Sequence, residues 1–182
     1  MLHNYLQVAK IELLYVGPIA LIIFCVFTFV KFLVRREYEF KPLSMFCEFA
    51  WIITVLLILR ITGIIGDYFG TTSFFYGIVN FSFNPFKEKL SIATLLNIIL
   101  FIPFGFLSAI IFKRFRDNWI YGVLIGFIFS VIIEFIQTFN GRYGSLQDVL
   151  MNTIGTFIGY EIWFWLSKFI QRQKKLKNLK RT

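Results

Sequence analysis

The stretch WIYGVLIGFIFSVIIEFIQTF, from Trp119 to Phe139, contains a single charged residue, Glu134. Its length matches the roughly 20 residues that an α-helix needs to cross the hydrocarbon core of a bilayer. Four more stretches share this length and apolar character. We therefore predict an all-α fold, a polytopic transmembrane helical bundle with about five membrane-spanning helices at Ile11–Val30, Met45–Ile65, Thr94–Phe112, Trp119–Phe139 and Leu150–Phe169.

The composition of the whole chain favours the same fold class. Hydrophobic residues make up 58% of the 182 residues and charged residues only 16%, which is too little polar surface for a water-soluble domain. A net charge of +9 could indicate a nucleic-acid partner, but the basic residues flank the apolar segments and crowd the C-terminus. That pattern is typical of contact with membrane lipids, so we expect membrane lipids and no nucleic acid as partners.

Metal and cofactor chemistry finds little support in the sequence. Cys25 and Cys47 lie in or beside apolar segments without the spacing of metal ligands, and His3 is the only histidine. We predict no metal site and no cofactor.

Basic residues also predict the orientation of the helices. Fourteen lie in the segments after helices one, three and five, four lie on the opposite side, and Arg60 lies inside helix two. Because basic residues favour the cytoplasmic side, the N-terminus should be outside and the C-terminus cytoplasmic. Two connecting segments are then external: an aromatic linker at 66–93 and the turn from Asn140 to Asp148.

Polar residues of several predicted helices converge at one depth. At about 1.5 Å per residue, one such residue on each of four helices lies roughly 7 to 11 Å outward of its helix midpoint. These residues are Arg60, Asn97, Glu134 and Asn152. Ser130, Glu134 and Gln137 lie on one helical stripe, and Asp148, Asn152, Gly155 and Gly159 lie on another.

Polar groups at this depth have two readings. Asn, Gln and Ser often bridge membrane helices, typically for about 1 kcal/mol or less, and this reading applies best to Ser130. A carboxylate inside a bilayer needs a partner or a proton, so Glu134 indicates a functional site. Arg142 or Arg60 is the expected partner of Glu134, and Arg142 could instead pair with Asp148.

Two motifs resemble those of the VanZ-like family. The first is NIILFIPFGFL, from Asn97 to Leu107, and the second is SVIIEFIQTFNGRYGSLQDVLMNTIGTFIG, from Ser130 to Gly159. The resemblance covers about 79–160, and the chain departs from it at Ser145, where the family tends to have an acidic residue. It implies a core of helices three to five at 79–160, preceded by two helices and the start of the aromatic linker at 1–78. A basic cytoplasmic tail follows at 161–182.

The resemblance implies a multi-pass protein of the bacterial cell membrane. The founding member of the family is associated with resistance to teicoplanin, and no reaction is established for the family. The predicted ligand-binding residues are Asn97, Ser130, Glu134, Gln137, Arg142, Asp148 and Asn152.

Two functional hypotheses follow. In one, the protein binds an external amphiphile, either a glycopeptide or a lipid-linked envelope molecule. In the other, it is a membrane-embedded enzyme that modifies such a lipid-linked molecule, with Glu134 and Asp148 as catalytic residues and Glu134 as general acid or base. The sequence leaves open whether the protein is an enzyme or a structural or regulatory factor, and whether it forms a homo-oligomer.

Overall fold

The computed structural model describes residues 2–34, 41–65, 81–84, 92–139 and 144–179. Within these ranges the chain forms six helices and two short strands. In order they are α1 (Leu2–Val34), α2 (Pro42–Ile61), β1 (Phe81–Ser82), α3 (Ile92–Ile111), α4 (Lys113–Asp117), α5 (Trp119–Phe139), β2 (Gly144–Ser145) and α6 (Leu146–Leu179).

Four of the described helices are long and apolar enough to cross a membrane. The qualifying segments are Lys10–Val34, Pro42–Ile61, Thr94–Ile111 and Trp119–Phe139. Large apolar side chains project outward from them, including Leu14 at 76% and Phe46 at 67% exposure. A water-soluble protein would bury such a surface, whereas lipid covers it in a bilayer. The predicted all-α membrane bundle is confirmed.

The fifth predicted segment forms most of α6, which is 34 residues long. It is absent from the four qualifying segments, because polar residues such as Asp148, Asn152 and Glu161 interrupt its apolar sequence. The helix itself is confirmed, and its crossing of the membrane stays a prediction.

α1 and α2 form an antiparallel pair with an ion pair near each end. Near one end, Lys31 Nζ lies 2.6 Å from Glu48 Oε1, and near the other, Arg60 Nε lies 2.5 Å from Glu12 Oε2. Gly63 has a φ of 75° and terminates α2, with Ile64 N–H bonded to Leu59 O at 2.8 Å. This left-handed residue is the usual end of a helix, and glycine adopts it without steric cost.

α3, α5 and α6 form the tightest part of the bundle. α3 and α6 run side by side in the same direction, with Gly155 against Ile98 O and Gly159 against Ile102 O. A Cβ atom on Gly159 would lie 2.7 Å from Phe106 N, closer than real Cβ contacts. Small residues at such positions let helix backbones approach closely, so the predicted role of Gly155 and Gly159 is seen in the packing.

α5 runs antiparallel to α6 along more than half of its own length. Glu134 lies beside Ser145, Ser130 beside Asn152, and Gly126 beside Thr156. On the other side of α3 and α5, a buried apolar cluster joins them to α2 and the turn that follows it. Its buried members are Ile58, Ile64, Phe101, Phe104 and Ile133.

Candidate functional site

Glu134 is a buried carboxylate on the last third of α5, with 3% of its surface exposed. Its Oε2 atom accepts a hydrogen bond from the backbone N–H of Ser145 at 3.0 Å. Ser145 directly precedes α6, so the carboxylate lies at the positive end of that helix dipole. A backbone donor and a helix N-terminus together stabilise negative charge at a position where burial alone would oppose it.

Two short strands hold Ser145 in this position. β1 and β2 pair in parallel, with Phe81 opposite Gly144 and Ser82 opposite Ser145. A Cβ atom on Gly144 would lie 2.8 Å from the Phe81 ring and 3.1 Å from Glu134 O, so only glycine fits between the strand and α5. The Ser145 hydroxyl then accepts the N–H of Gln147 at 3.2 Å, which caps the start of α6.

A cavity of about 380 Å³ opens beside Glu134. Its walls come from the strand region at 81–83, from α5 and from the first turn of α6. Apart from Glu134 and the Thr138 hydroxyl, the lining side chains are apolar: Phe81, Phe83, Val131, Phe135, Leu146 and Val149. The arrangement places one carboxylate at the edge of an otherwise apolar chamber.

The other predicted polar residues form two pairs between helices. Asn97 Nδ2 of α3 donates to Asp148 Oδ1 of α6 at 2.7 Å. Asn152 Nδ2 of α6 donates to Ser130 Oγ of α5 at 2.8 Å, and Asn152 Oδ1 is buried without a hydrogen-bond partner among the described residues. None of these four residues lines the cavity. They lie instead at the contacts of α6 with α3 and α5.

Gln137 and Arg60 point to other partners. Gln137 Nε2 donates to Thr62 O at 2.6 Å and ties α5 to the end of α2. Arg60 forms an ion pair with Glu12 of α1. The structure therefore shows this pair in place of the predicted alternative, in which Arg60 pairs with Glu134. Arg142 lies outside the described residues, and its pairing with Glu134 or Asp148 stays a prediction.

Comparison with known proteins identifies the family. Residues 13–167 match the VanZ/LLP1 family. The chain belongs to the VanZ/LLP1 family. Over 82 residues it is also 35% identical to Protein VanZ of Enterococcus faecium.

The match to Protein VanZ covers 44% of this chain and 48% of that protein, so the chain spans about half the length of the curated relative it matches. No solved structure matches the chain.

Several residues at or near the site of this VanZ/LLP1 family member were not among the residues predicted from the sequence. Thr138 lies one turn beyond Glu134 on α5, and this i, i+4 spacing would have placed it on the Glu134 stripe. Phe81 and Phe83 alternate in an extended segment, which puts both on one face, but the strand partner that sets their position lies some 60 residues away. Glu12 of α1 lies at the same depth in the membrane as Arg60 of α2. A comparison of the depths of these two charged residues would have predicted their ion pair.

Within the ranges from 2 to 179 that the structure covers, no group of three or more His, Cys, Asp or Glu residues is arranged to hold a metal ion.

Proposed function

We propose that this VanZ/LLP1 family protein binds an amphiphile at the outer face of the bacterial cell membrane. The observation that carries the proposal is the 380 Å³ cavity, because it joins apolar walls to one buried carboxylate. Ligand sites of this kind are mostly apolar with a few placed polar groups that fix orientation. Phe81 and Phe83, which belong to the aromatic linker at 66–93, contribute one aromatic wall of the cavity.

The chemistry of the cavity restricts the ligand. An acyl chain or another apolar group fits the walls, and a hydroxyl, amide or ammonium donor fits Glu134, since an ionised carboxylate only accepts hydrogen bonds. Ser145 N–H already donates one hydrogen bond to that carboxylate. A lipoglycopeptide or a lipid-linked envelope molecule has both parts, and such a ligand connects the cavity to teicoplanin-type resistance.

We also propose five passes, with the N-terminus outside and the C-terminus in the cytoplasm. α6 lies against α5 from Ser145 to Tyr160, and α5 is apolar enough to span the membrane. A helix packed along a spanning helix for this distance shares its depth. The basic residues then set the side, and the Glu134 cavity opens in the outer half of the bilayer.

The Glu134→Gln variant tests the binding function. Gln keeps the acceptor for Ser145 N–H but loses the negative charge, so folding should be retained while binding of teicoplanin to the protein in nanodiscs weakens by about tenfold, as expected for a lost charge-assisted hydrogen bond. Glu161→Gln is the matched control, because Glu161 is a carboxylate of α6 that does not line this cavity. Equal binding by wild type and Glu134→Gln would contradict the proposal.

Cysteine labelling tests the topology. In a chain without Cys25 and Cys47, Tyr143→Cys should react with an impermeant reagent from outside, whereas Lys113→Cys and Lys177→Cys should not. Labelling of positions 143 and 177 from the same side would show that α6 does not cross the membrane. Labelling of positions 113 and 177 but not 143 would invert the orientation.

The enzyme hypothesis has one observation in its favour. Glu134 lies at the wall of the cavity, where an acid or base would reach a bound molecule. Asp148 bonds to Asn97 away from the cavity lining, so it is positioned less well for catalysis. Incubation of the purified protein with lipid-linked cell-wall precursors, followed by mass spectrometry, separates the two: a mass change that Glu134→Gln abolishes indicates an enzyme, and retention without a mass change indicates a binder.

A further inference from the structure

A second cavity lies at the other end of the long helix α6. Its volume is about 550 Å³, and it lies between the short helix α4 and the part of α6 that follows Tyr160. Its charged lining residues are Arg116, Asp117, Lys168 and Lys174, so three cations face one anion. The Glu134 cavity, by contrast, has apolar walls and a single carboxylate.

The ends of α3 and α5 fix the depth of this basic cavity. α3 ends at Ile111 and α5 begins at Trp119, so α4 connects them at one surface of the bundle. Tyr160 of α6 lies at this level, because its hydroxyl donates to Arg116 O at 3.5 Å. Gly159 lies beside Phe106, five residues before the end of α3, so α6 passes the ends of α3 and α5 within about two turns after Tyr160. The cavity is at the height of lipid headgroups.

The lining combines charge with aromatic side chains. Trp163 and Phe164 line the cavity together with the cations. Lys168 Nζ lies 4.1 Å from the centre of the Phe164 ring, a cation–π contact that holds its ammonium group in place. Tryptophan is enriched at the membrane–water interface, where an apolar ring and a polar environment meet.

We propose that this cavity binds the phosphate group of an anionic phospholipid. Arg116 offers a planar fork of donors that suits two phosphate oxygens, and Lys168 and Lys174 add positive charge around them. Basic pockets between membrane helices on the cytoplasmic side recognise anionic headgroups in this way. The exposed apolar surface next to the cavity, Leu166 and Ile170, provides a path for an acyl chain toward the bilayer.

The lipid is favoured over free phosphate by position and by the mixed lining. A site for a soluble anion needs no apolar wall, whereas this cavity has Trp163, Phe164 and Ile170 among its lining residues. Inorganic phosphate shares the recognised group, so it serves as the competing probe.

Two triple variants with the same change in charge test the proposal. Arg116→Gln/Lys168→Gln/Lys174→Gln removes one Arg and two Lys from the cavity. Arg172→Gln/Lys175→Gln/Lys177→Gln removes the same residue types from exposed positions of the same helix that do not line it. Spin-labelled phosphatidylglycerol and phosphatidylcholine are compared as ligands of the full chain in nanodiscs.

The cavity variant should lose the preference for phosphatidylglycerol by about 100-fold, since each of its three basic residues contributes about a fivefold preference. The control variant should lose at least tenfold less, because its residues do not line the cavity. Equal losses in both variants would mean general surface attraction and would overturn the proposal. Displacement of phosphatidylglycerol by millimolar inorganic phosphate would assign the site to a free anion. If the triple variant does not fold, Lys174→Gln and Lys175→Gln, both exposed, repeat the comparison on a smaller scale.

Discussion

The α1–α2 pair and the α3–α5–α6 unit are held together by different physics. α1 meets α2 through two ion pairs, at Glu12 and at Lys31, with the buried side chains of Val16 and Ala20 between them. Most of its other described side chains face outward. α3 and α6 instead meet through glycines that let backbone approach backbone, at Gly105, Gly155 and Gly159, and Gly126 of α5 packs against the Thr156 side chain of α6. Between them lie the pairs Asn97–Asp148 and Ser130–Asn152.

The comparison shows which helix contacts depend on close packing and which depend on charge. A contact through glycines tolerates no added atom, because the displaced neighbour is backbone. A contact through ion pairs tolerates movement, since long side chains can follow a shifted helix. The Glu134 cavity borders the rigid unit, so its carboxylate is held by neighbours that cannot easily move.

The largest expected effect comes from adding volume to the glycine contact. Gly155→Leu should lower the free energy of unfolding in detergent by about 3 kcal/mol or more, because its Cβ alone would already meet Ile98 O and Phe101 Cβ. Gly17→Leu in α1 is the matched control, since a Cβ there has nothing within 4 Å. The thermal midpoints of both variants decide the comparison, and equal midpoints would contradict it.

A smaller effect is expected where α3 bonds to α6 through a charged acceptor. Asn97→Ala removes the donor to Asp148 and should cost about 1.5 kcal/mol, near the upper end for polar contacts between membrane helices. Thr153→Ala serves as control, because its hydroxyl bonds only to Val149 O within α6. Denaturation in SDS measures both. A cost for Asn97→Ala no greater than the control would show that the Asn97–Asp148 bond adds little to the unit.

A neutral pair should cost less still. Ser130→Ala removes the acceptor of Asn152 Nδ2 and should lower the unfolding free energy by about 0.6 kcal/mol, the average for such bonds. Because Asn152 Oδ1 lacks a partner among the described residues, Asn152→Leu should cost no more than Ser130→Ala. The same SDS titration applies, and a loss above that of Asn97→Ala would reverse the predicted order.

The sequence predicted this architecture well where the signal was local. Apolar length indicated the helices, and the small-xxx-small spacing of Gly155 and Gly159 indicated the close contact. Counting residues along each helix placed Glu134, Asn97 and Asn152 at a similar depth. This count could not predict which side chains form hydrogen bonds with each other, because several donors and acceptors lie at that depth. The structure shows the partners: Asn97 donates a hydrogen bond to Asp148, and Gln137 donates one to the backbone carbonyl of Thr62.

The cavity was beyond such reasoning. Its wall depends on the pairing of Phe81 with Gly144, a contact between segments far apart in the sequence. Two-residue strands carry no periodic signal, and glycine at 144 could equally mark an ordinary turn. The sequence predicted an aromatic linker at 66–93, but only the strand register shows which of its aromatic residues line the cavity beside Glu134.

The smallest expected effect comes from the ion pair at the Glu12 end of α1, and it tests the contrast most directly. Glu12 and Arg60 are each about 20% exposed on their side chains, so solvent and headgroups screen the pair. A double-mutant cycle with Glu12→Gln and Arg60→Gln should give a coupling of about 0.5 kcal/mol or less, and it should shrink further in high salt. A coupling above about 2 kcal/mol would be typical of a desolvated pair. In that case α1 would be held as firmly as α3 and α6, because a charge pair without solvent resists separation as strongly as packed backbone does.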